Sequence, residues 1–212
     1  MNSRGPWPIH DTVKSYHRHW LACVGTTSWP ARIEEADGLL GRMAADVRER
    51  RDGDPPISKL TATDEPTEGT GLDLVVFPDG IRYRGVDEAR WEGILRDHVE
   101  GDAISDVAPR EAVEERWIVV CAHGERDERC GECGPPLIDA LREAVEEAGI
   151  ETVRVRATSH VGGHKYAGNV IVFPEGHWYG YVRPADASRI VREHVVEGRV
   201  IDDLHRGSME AP

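Results

Sequence analysis

Lysine is almost missing from this chain. Lys14, Lys59 and Lys165 are all there is, and arginine supplies the rest of the 26 basic residues. Against them stand 39 acidic residues, a formal net charge of −13. That balance disfavours nucleic acid and anionic membrane as partners, because both reward clustered positive charge. It suits a basic partner protein. Long apolar runs are also missing: the longest, around WIVVCA at residues 117–122, is far too short to span a bilayer. The first residues, MNSRGPWPIHDTV, lack the apolar core of a signal peptide. The expected location is the cytoplasm. Neither a dinucleotide fingerprint nor a phosphate loop is present. No pair of carboxylates stands in a recognisable glycosidase setting. A substrate pocket is therefore not evident from sequence.

What the chain does have is a second copy of itself. LDLVVFPDGIRYRGVDEARWEGILRDHVEGDAI (residues 72–104) parallels GNVIVFPEGHWYGYVRPADASRIVREHVVEGRVI (residues 168–201), and HWLACVGTTSWP parallels RWIVVCAHGERD. The offset stays close to about 97 residues, which reads as a duplicated domain and not a solenoid repeat. Each copy reads as an apolar strand (residues 21–24 or 117–122), then a helix (residues 30–50 or 135–148). In the second copy TVRVRA alternates as a strand, and NVIVF and HWYGYV form a hairpin across Pro-Glu-Gly. A last helix carries Ile190, Val191, His194 and Val195. The order β-α-β then β-β-α predicts an α/β protein of two tandem thioredoxin-like domains. Residues 1–110 form one and residues 111–212 the other, with a break at residues 105–115. Residues 51–70, rich in Asp, Pro, Thr and Gly, read as a loop.

The chemistry concentrates in the second copy. Of the four cysteines, Cys121, Cys130 and Cys133 fall within thirteen residues. In a reducing compartment such crowding points to metal or redox chemistry before a structural disulfide. His160 and His164 flank Val-Gly-Gly, and two adjacent glycines argue against a helix there. Ligands collect beyond the carboxyl ends of parallel strands. The strand ending at Cys121 and the loop before the hairpin meet at that edge, so Cys121, Cys130 and Cys133 are expected to face His160 and His164. Thiolate plus imidazole suits either a Cys2His2 zinc site or a [2Fe–2S] cluster. The eight residues between Cys121 and Cys130 match a larger object than zinc. Cys130-Gly-Glu-Cys133 has zinc-like or thioredoxin-like spacing. A zinc-stabilised interaction module and a thiol–disulfide oxidoreductase using Cys130 and Cys133 therefore stay open.

CAHGERDERC followed by SHVGGHKYAGNVIVFPEGHWYG resembles the sucrase/ferredoxin-like family, weakly in the first half of the chain and strongly from Trp117 onward. The resemblance implies a thioredoxin-like [2Fe–2S] ferredoxin in which histidines replace the second cysteine pair. It implies Cys121 and Cys130 as thiolate ligands and His160 and His164 as imidazole ligands, with Cys133 as the alternative to Cys130. The chain would then be an electron carrier and not an enzyme with a substrate of its own. Its partner would be a redox protein such as a flavoprotein reductase. Two neutral imidazoles in place of two thiolates should raise the potential above that of an all-cysteine ferredoxin, and should couple the electron to a proton. The first half lacks the ligands: Asp64 and Glu68 fall where His160 and His164 would be, and Cys23 has no nearby cysteine. Among the neighbours, His123 is expected to stabilise the loop and Arg126 to pair with Asp127. Lys165 should be solvated. Trp178, Tyr179, His98 and His194 should pack in the core, and Cys23 should act as a small buried hydrophobe.

Overall fold

The computed structural model describes residues 5–50, 58–100 and 103–209. The first half contains β1 (Arg18–Cys23), α1 (Leu39–Glu49), β2 (Ser58–Thr63), β3 (Leu72–Phe77), β4 (Ile81–Val86), α2 (Glu88–Glu100) and β5 (Arg110–Ala112). The second contains β6 (Arg116–Cys121), α3 (Glu128–Glu147), β7 (Val153–Thr158), β8 (Val170–Phe173) and β9 (His177–Tyr179). It ends with α4 (Ala187–Arg189), which runs on as a π-helix over Ile190–Val196, and with β10 (His205–Ser208). The described strands form one sheet in the order β10-β9-β8-β6-β7-β2-β1-β3-β4-β5. Taken from its two edges, β9-β8-β6-β7 and β4-β3-β1-β2 are the same arrangement. Each has one parallel pair extended by an antiparallel hairpin. That is the thioredoxin-like order, present in both halves.

Side-chain alternation explains the layers. In β6, Ile118 and Val120 join a core with Leu137, Leu141 and Val145 of α3. Trp117, Val119 and Cys121 point the other way, into a core shared with Leu21, Cys23, Val75 and Phe77 of the first half. Phe77 of β3 stacks on Phe173 of β8, with ring centroids 4.6 Å apart and planes at 6°. Four strands separate those two in the sheet order, so the sheet folds back on itself. Its inner faces pack together and its helices lie outside. β2 and β7 pair through one antiparallel register, Thr63 with Thr158, the last residue of each strand. The carboxyl ends of both parallel pairs therefore converge at the seam.

Four expectations need correction. Residues 58–63, read as part of a loop, form β2; residues 51–57 of that stretch lie outside the described residues. The helix expected from Pro30 begins at Leu39, after a short 3-10 turn over Ile33–Glu35. The helix expected from Pro135 begins at Glu128, and Pro135 and Pro136 lie inside it. Proline cannot donate to the carbonyl four residues back. Here those carbonyls belong to Gly131 and Glu132, on the partly exposed side, where water can satisfy them. The last helix stands where expected, but it is largely π-helical. β10 lacked any periodic signal, and β5 crosses the residue 110 boundary to pair with β4.

Candidate metal centre

The site forms where β6 and β7 end. The Cys121 N–H donates to the Asn169 carbonyl at 3.0 Å, holding the strand to its end. The chain then turns through residues 122–127 and enters α3. Asp127 caps the helix, accepting from the Arg129 N–H at 3.2 Å. This start, seven residues earlier than Pro135, puts Cys130 on the first turn of α3, above Cys121. Gly134 lets the helix come that close. A Cβ there would lie 2.7 Å from the Cys121 carbonyl oxygen and from the Ala122 Cα. On the other side, Gly162 and Gly163 adopt φ values of +95° and +74°, which fold the loop so that His160 and His164 lie side by side. Their ring centroids are 5.8 Å apart at 30°.

Cys121, Cys130 and His160 each offer one donor atom, and the three lie within 4.8 Å of one another. Both cysteines are buried and free. Nδ1 of His160 is buried without a hydrogen-bond partner among the described residues. His164 stands beside this group and not within it. Its ring is half exposed, with Nδ1 3.5 Å from Oδ2 of Asp127. Cys133 is exposed on α3 and lies outside the group. The Cys121 thiol is held well below its ordinary range, chiefly by a hydrogen bond from Cys130, against the effect of burial, with help from His160 and the Val161 and His123 backbone. Cys130 is pushed up by the same hydrogen bond and by burial. The shared hydrogen bond thus favours the thiolate on Cys121 over that on Cys130. The arrangement can hold a metal ion.

The surroundings divide between what was expected and what was not. His123 does brace the loop: its Nδ1 accepts from the His160 N–H at 3.0 Å, leaving Nε2 to donate to the Trp29 carbonyl at 3.3 Å. Asp127 pairs with Arg129 at 2.9 Å, not with Arg126, whose side chain is exposed and makes no ion pair among the described residues. Arg129, two residues past the cap, folds back over Asp127, whereas Arg126 lines a cavity. The hydrogen bond to Arg129 holds Asp127 down to about 2. Lys165 is exposed over the Trp7 ring. Trp178 and Tyr179 are buried. His98 bonds Tyr83 at 2.7 Å, and His194 bonds Tyr179 in the same way, so both are packing residues.

Sequence reasoning missed Trp29, Lys59, Asn169 and Arg206. Lys59 Nζ donates to the Val161 carbonyl at 2.7 Å. Arg206 is 3 % exposed and donates to Asn169 Oδ1 at 2.6 Å, while Asn169 Nδ2 donates to the Gly163 carbonyl at 3.0 Å. Burial pushes the Arg206 guanidinium down to about 10. Asn169 was visible in the quoted motif; Arg206, in an unpatterned tail, was not. In the first half, the matching positions hold no donor set. Cys23 is buried, which pushes its thiol up to about 12. Asp64 accepts from the Ala157 N–H at 2.8 Å, and Glu68 pairs with Arg84 at 3.6 Å.

Comparison with known proteins adds three findings. A protein from Debaryomyces hansenii named "Altered inheritance of mitochondria protein 32" is 43% identical over 97 residues, covering 43% of this chain and 35% of that protein. Its namesake from Kluyveromyces lactis is 25% identical over 255 residues, covering 95% of this chain and 77% of the relative. In the Debaryomyces, Clavispora and Meyerozyma matches the chain spans about a third of the relative's length. Among solved structures, a thioredoxin-like [2Fe–2S] ferredoxin from Aquifex aeolicus is 22% identical with a TM-score of 0.39, covering 47% of this chain and 96% of that one. The family model described as Sucrase/ferredoxin-like matches residues 9–207, nearly the whole of both halves, and on that match the chain belongs to the sucrase/ferredoxin-like family.

Proposed function

We propose that this chain is a one-electron carrier holding a [2Fe–2S] cluster on Cys121, Cys130, His160 and His164. The observation that carries the reading is the convergence of three soft donors within 4.8 Å, two of them buried free thiols, with a second imidazole alongside. The donor set fits the group: His160 Nδ1 is a buried nitrogen in need of a partner, and thiolate with imidazole is iron–sulfur or zinc chemistry. When bound, such a cluster supplies one-electron redox chemistry. The chain's own residues then have separate tasks. Cys121, already biased toward thiolate, and Cys130 supply the anionic side. His164 keeps Nδ1 toward Asp127, which leaves Nε2 for the metal and gives the second N–H a carboxylate to lean on. His164 is also the more exposed of the two imidazoles. Lys59 and Arg206 fix the loop from behind.

Two alternatives are weaker. For disulfide exchange, Cys130 would need a lowered pKa, and it is buried and pushed up. A zinc module would use the same donors, so the distinction is chemical. Oxygen-free purification is expected to give a reddish-brown protein with iron and acid-labile sulfide in equal amounts, about two of each per chain. Its potential should lie above the about −400 mV of an all-cysteine plant-type ferredoxin. It should also fall as pH rises. A colourless protein with zinc and no sulfide overturns the proposal. We further place the carrier in the cytoplasm, with a flavoprotein reductase as donor, since an acidic surface of net charge −13 suits a basic docking patch.

A further inference from the structure

A cavity of about 340 Å³ opens beside the candidate metal centre and is lined by residues of both halves. His160 and His123 form one end of it, but neither Cys121 nor Cys130 reaches it. It is therefore a space apart from the two thiols that meets the donor group only at His160. Its charge is the reverse of the chain's. Arg32, Arg48, Lys59 and Arg126 line it, with Glu34 the one carboxylate in the lining. Arg32 also pairs with Glu35 at 3.7 Å, and the Lys59 ammonium is held at the Val161 carbonyl, so Arg48 and Arg126 are the cations the cavity can offer a ligand. Glu34 pairs with Arg48 at 2.8 Å, and Arg126 has no carboxylate among the described residues. In a chain of net charge −13, this is a local positive field in a concave setting, which concentrates anions. The floor carries a second signal. Ser58 is 6 % exposed, lines the cavity, and its Oγ has no hydrogen-bond partner among the described residues. A buried hydroxyl left unpaired is costly, and a ligand oxygen would recover that cost. The remaining wall is apolar, from Ile33, Val47 and Leu60.

We infer that this cavity binds a small organic anion, with a carboxylate or phosphate head among the arginines and a short apolar body against Ile33, Val47 and Leu60. The volume is in the range of small-molecule sites. Binding itself does not depend on the cluster reading. A change of potential on binding does, because the ligand would sit against His160.

Calorimetry on the full chain tests it with four probes: phenyl phosphate and benzoate, which carry the two kinds of head, and inorganic phosphate and phenol, which lack the body or the charge. One of the first two is expected to bind one-to-one, at least about ten-fold tighter than phenol and than inorganic phosphate. The Arg48→Gln/Arg126→Gln double variant, both exposed side chains, should weaken it by about ten-fold or more, whereas Arg96→Gln, outside the cavity, should not. Ser58→Ala should weaken it less. The inference is overturned if neither headed probe saturates, if the double variant binds as tightly as the parent, or if phenol or phosphate binds as well. Iron and sulfide are measured on the same samples. A cluster-free chain that binds phenyl phosphate therefore sinks the carrier proposal alone, and a cluster-bearing chain that binds no probe sinks this one alone.

Discussion

Gly134→Ala puts the architecture of the metal centre to a direct test. The added Cβ would meet Ala122 Cα and the Cys121 carbonyl oxygen at 2.7 Å, and Ala122 Cβ at 2.8 Å. Ordinary contact begins at 3.4 Å, so α3 must retreat by about 0.7 Å (3.4 − 2.7). No side-chain rotation relieves this, because the first two atoms are backbone. Two effects compete. Alanine is favoured over glycine in a helix interior by about 1 kcal/mol. Overpacking costs about 1–3 kcal/mol, and a contact this short against backbone belongs at the upper end. The clash wins, with a net loss of about 1–2 kcal/mol. Cys130 lies one turn before Gly134, so the retreat also carries its sulfur away from Cys121. The assay is a urea midpoint together with iron retained per chain. Gly149→Ala is the comparator: its φ is +66° and nothing lies within 4 Å of its Cβ position. That variant should lose about 1–2 kcal/mol to backbone strain alone and keep its iron. A Gly134→Ala protein as stable as the parent, with full iron occupancy, would refute the argument that helix approach sets the site.

Three further outcomes are expected. Cys130→Ser should abolish iron retention while Cys133→Ser leaves it intact, read as iron per chain after gel filtration; equal losses would move the site to the exposed side of α3. His177 is pushed down to about 4, first by burial and then by the charges of His194 and His205. Between that value and the ordinary one of about 6.5 the unfolded chain binds a proton the folded chain refuses, so stability falls as pH drops through this window. His177→Gln should remove about 1 kcal/mol of that loss, discounted because the ring is only half buried, measured as urea midpoints near pH 7 and pH 5. Identical pH slopes in both proteins would exclude His177 as the cause. Asp73 is fully buried and accepts from Arg82, Arg84 and the Gly85 N–H. Asp73→Asn removes the buried charge that Arg82 and Arg84 share, leaving Arg82 with Glu65 alone, and should cost about 3 kcal/mol. A shift no larger than that of the exposed Arg110→Gln would mean the network relaxes freely.

The repeat made the layer order legible, because duplicated strands and hairpins keep their apolar periodicity in both copies. It was less useful where one copy had drifted. β2, SKLTAT, has a lysine and four hydroxyl or small residues where β7 has VRVRAT. Composition alone read it as loop, although carrying the repeat offset back from β7 would have placed a strand there. The start of α3 was misjudged for a different reason. Proline is a reliable opener of helices, and Pro135-Pro136 drew the boundary to itself, whereas Asp127 as cap was the true signal. That seven-residue difference matters for the site, since it turns Cys130 from a loop residue into a helical one. The four proposed ligands stood in the quoted motif; of the residues that hold them, Trp29 stood in the quoted repeat but 94 residues away from His123, and Arg206 comes from an unpatterned tail.

Those distant contacts explain why the first half persists without donors of its own. His123 holds His160 by its backbone and is itself held by the Trp29 carbonyl. Lys59 of β2 holds the Val161 carbonyl, and Thr12 accepts from Arg206, which fixes Asn169 and through it Gly163. Every segment of the histidine loop is thus anchored to a residue before position 60 or to one that such a residue holds. The inner core works the same way: Trp117, Val119, Cys121 and Phe173 pack on Leu21, Val75 and Phe77. Removing the first half would bare that apolar face and release both anchors at once. In the first half itself, the space below Cys23 is filled by the Asp73, Arg82 and Glu65 ion pairs, which supply rigidity where a metal would otherwise crosslink the loops. The first half, with buried ion pairs beside Cys23 and bonds to the histidine loop, is thus the wall against which that loop is set.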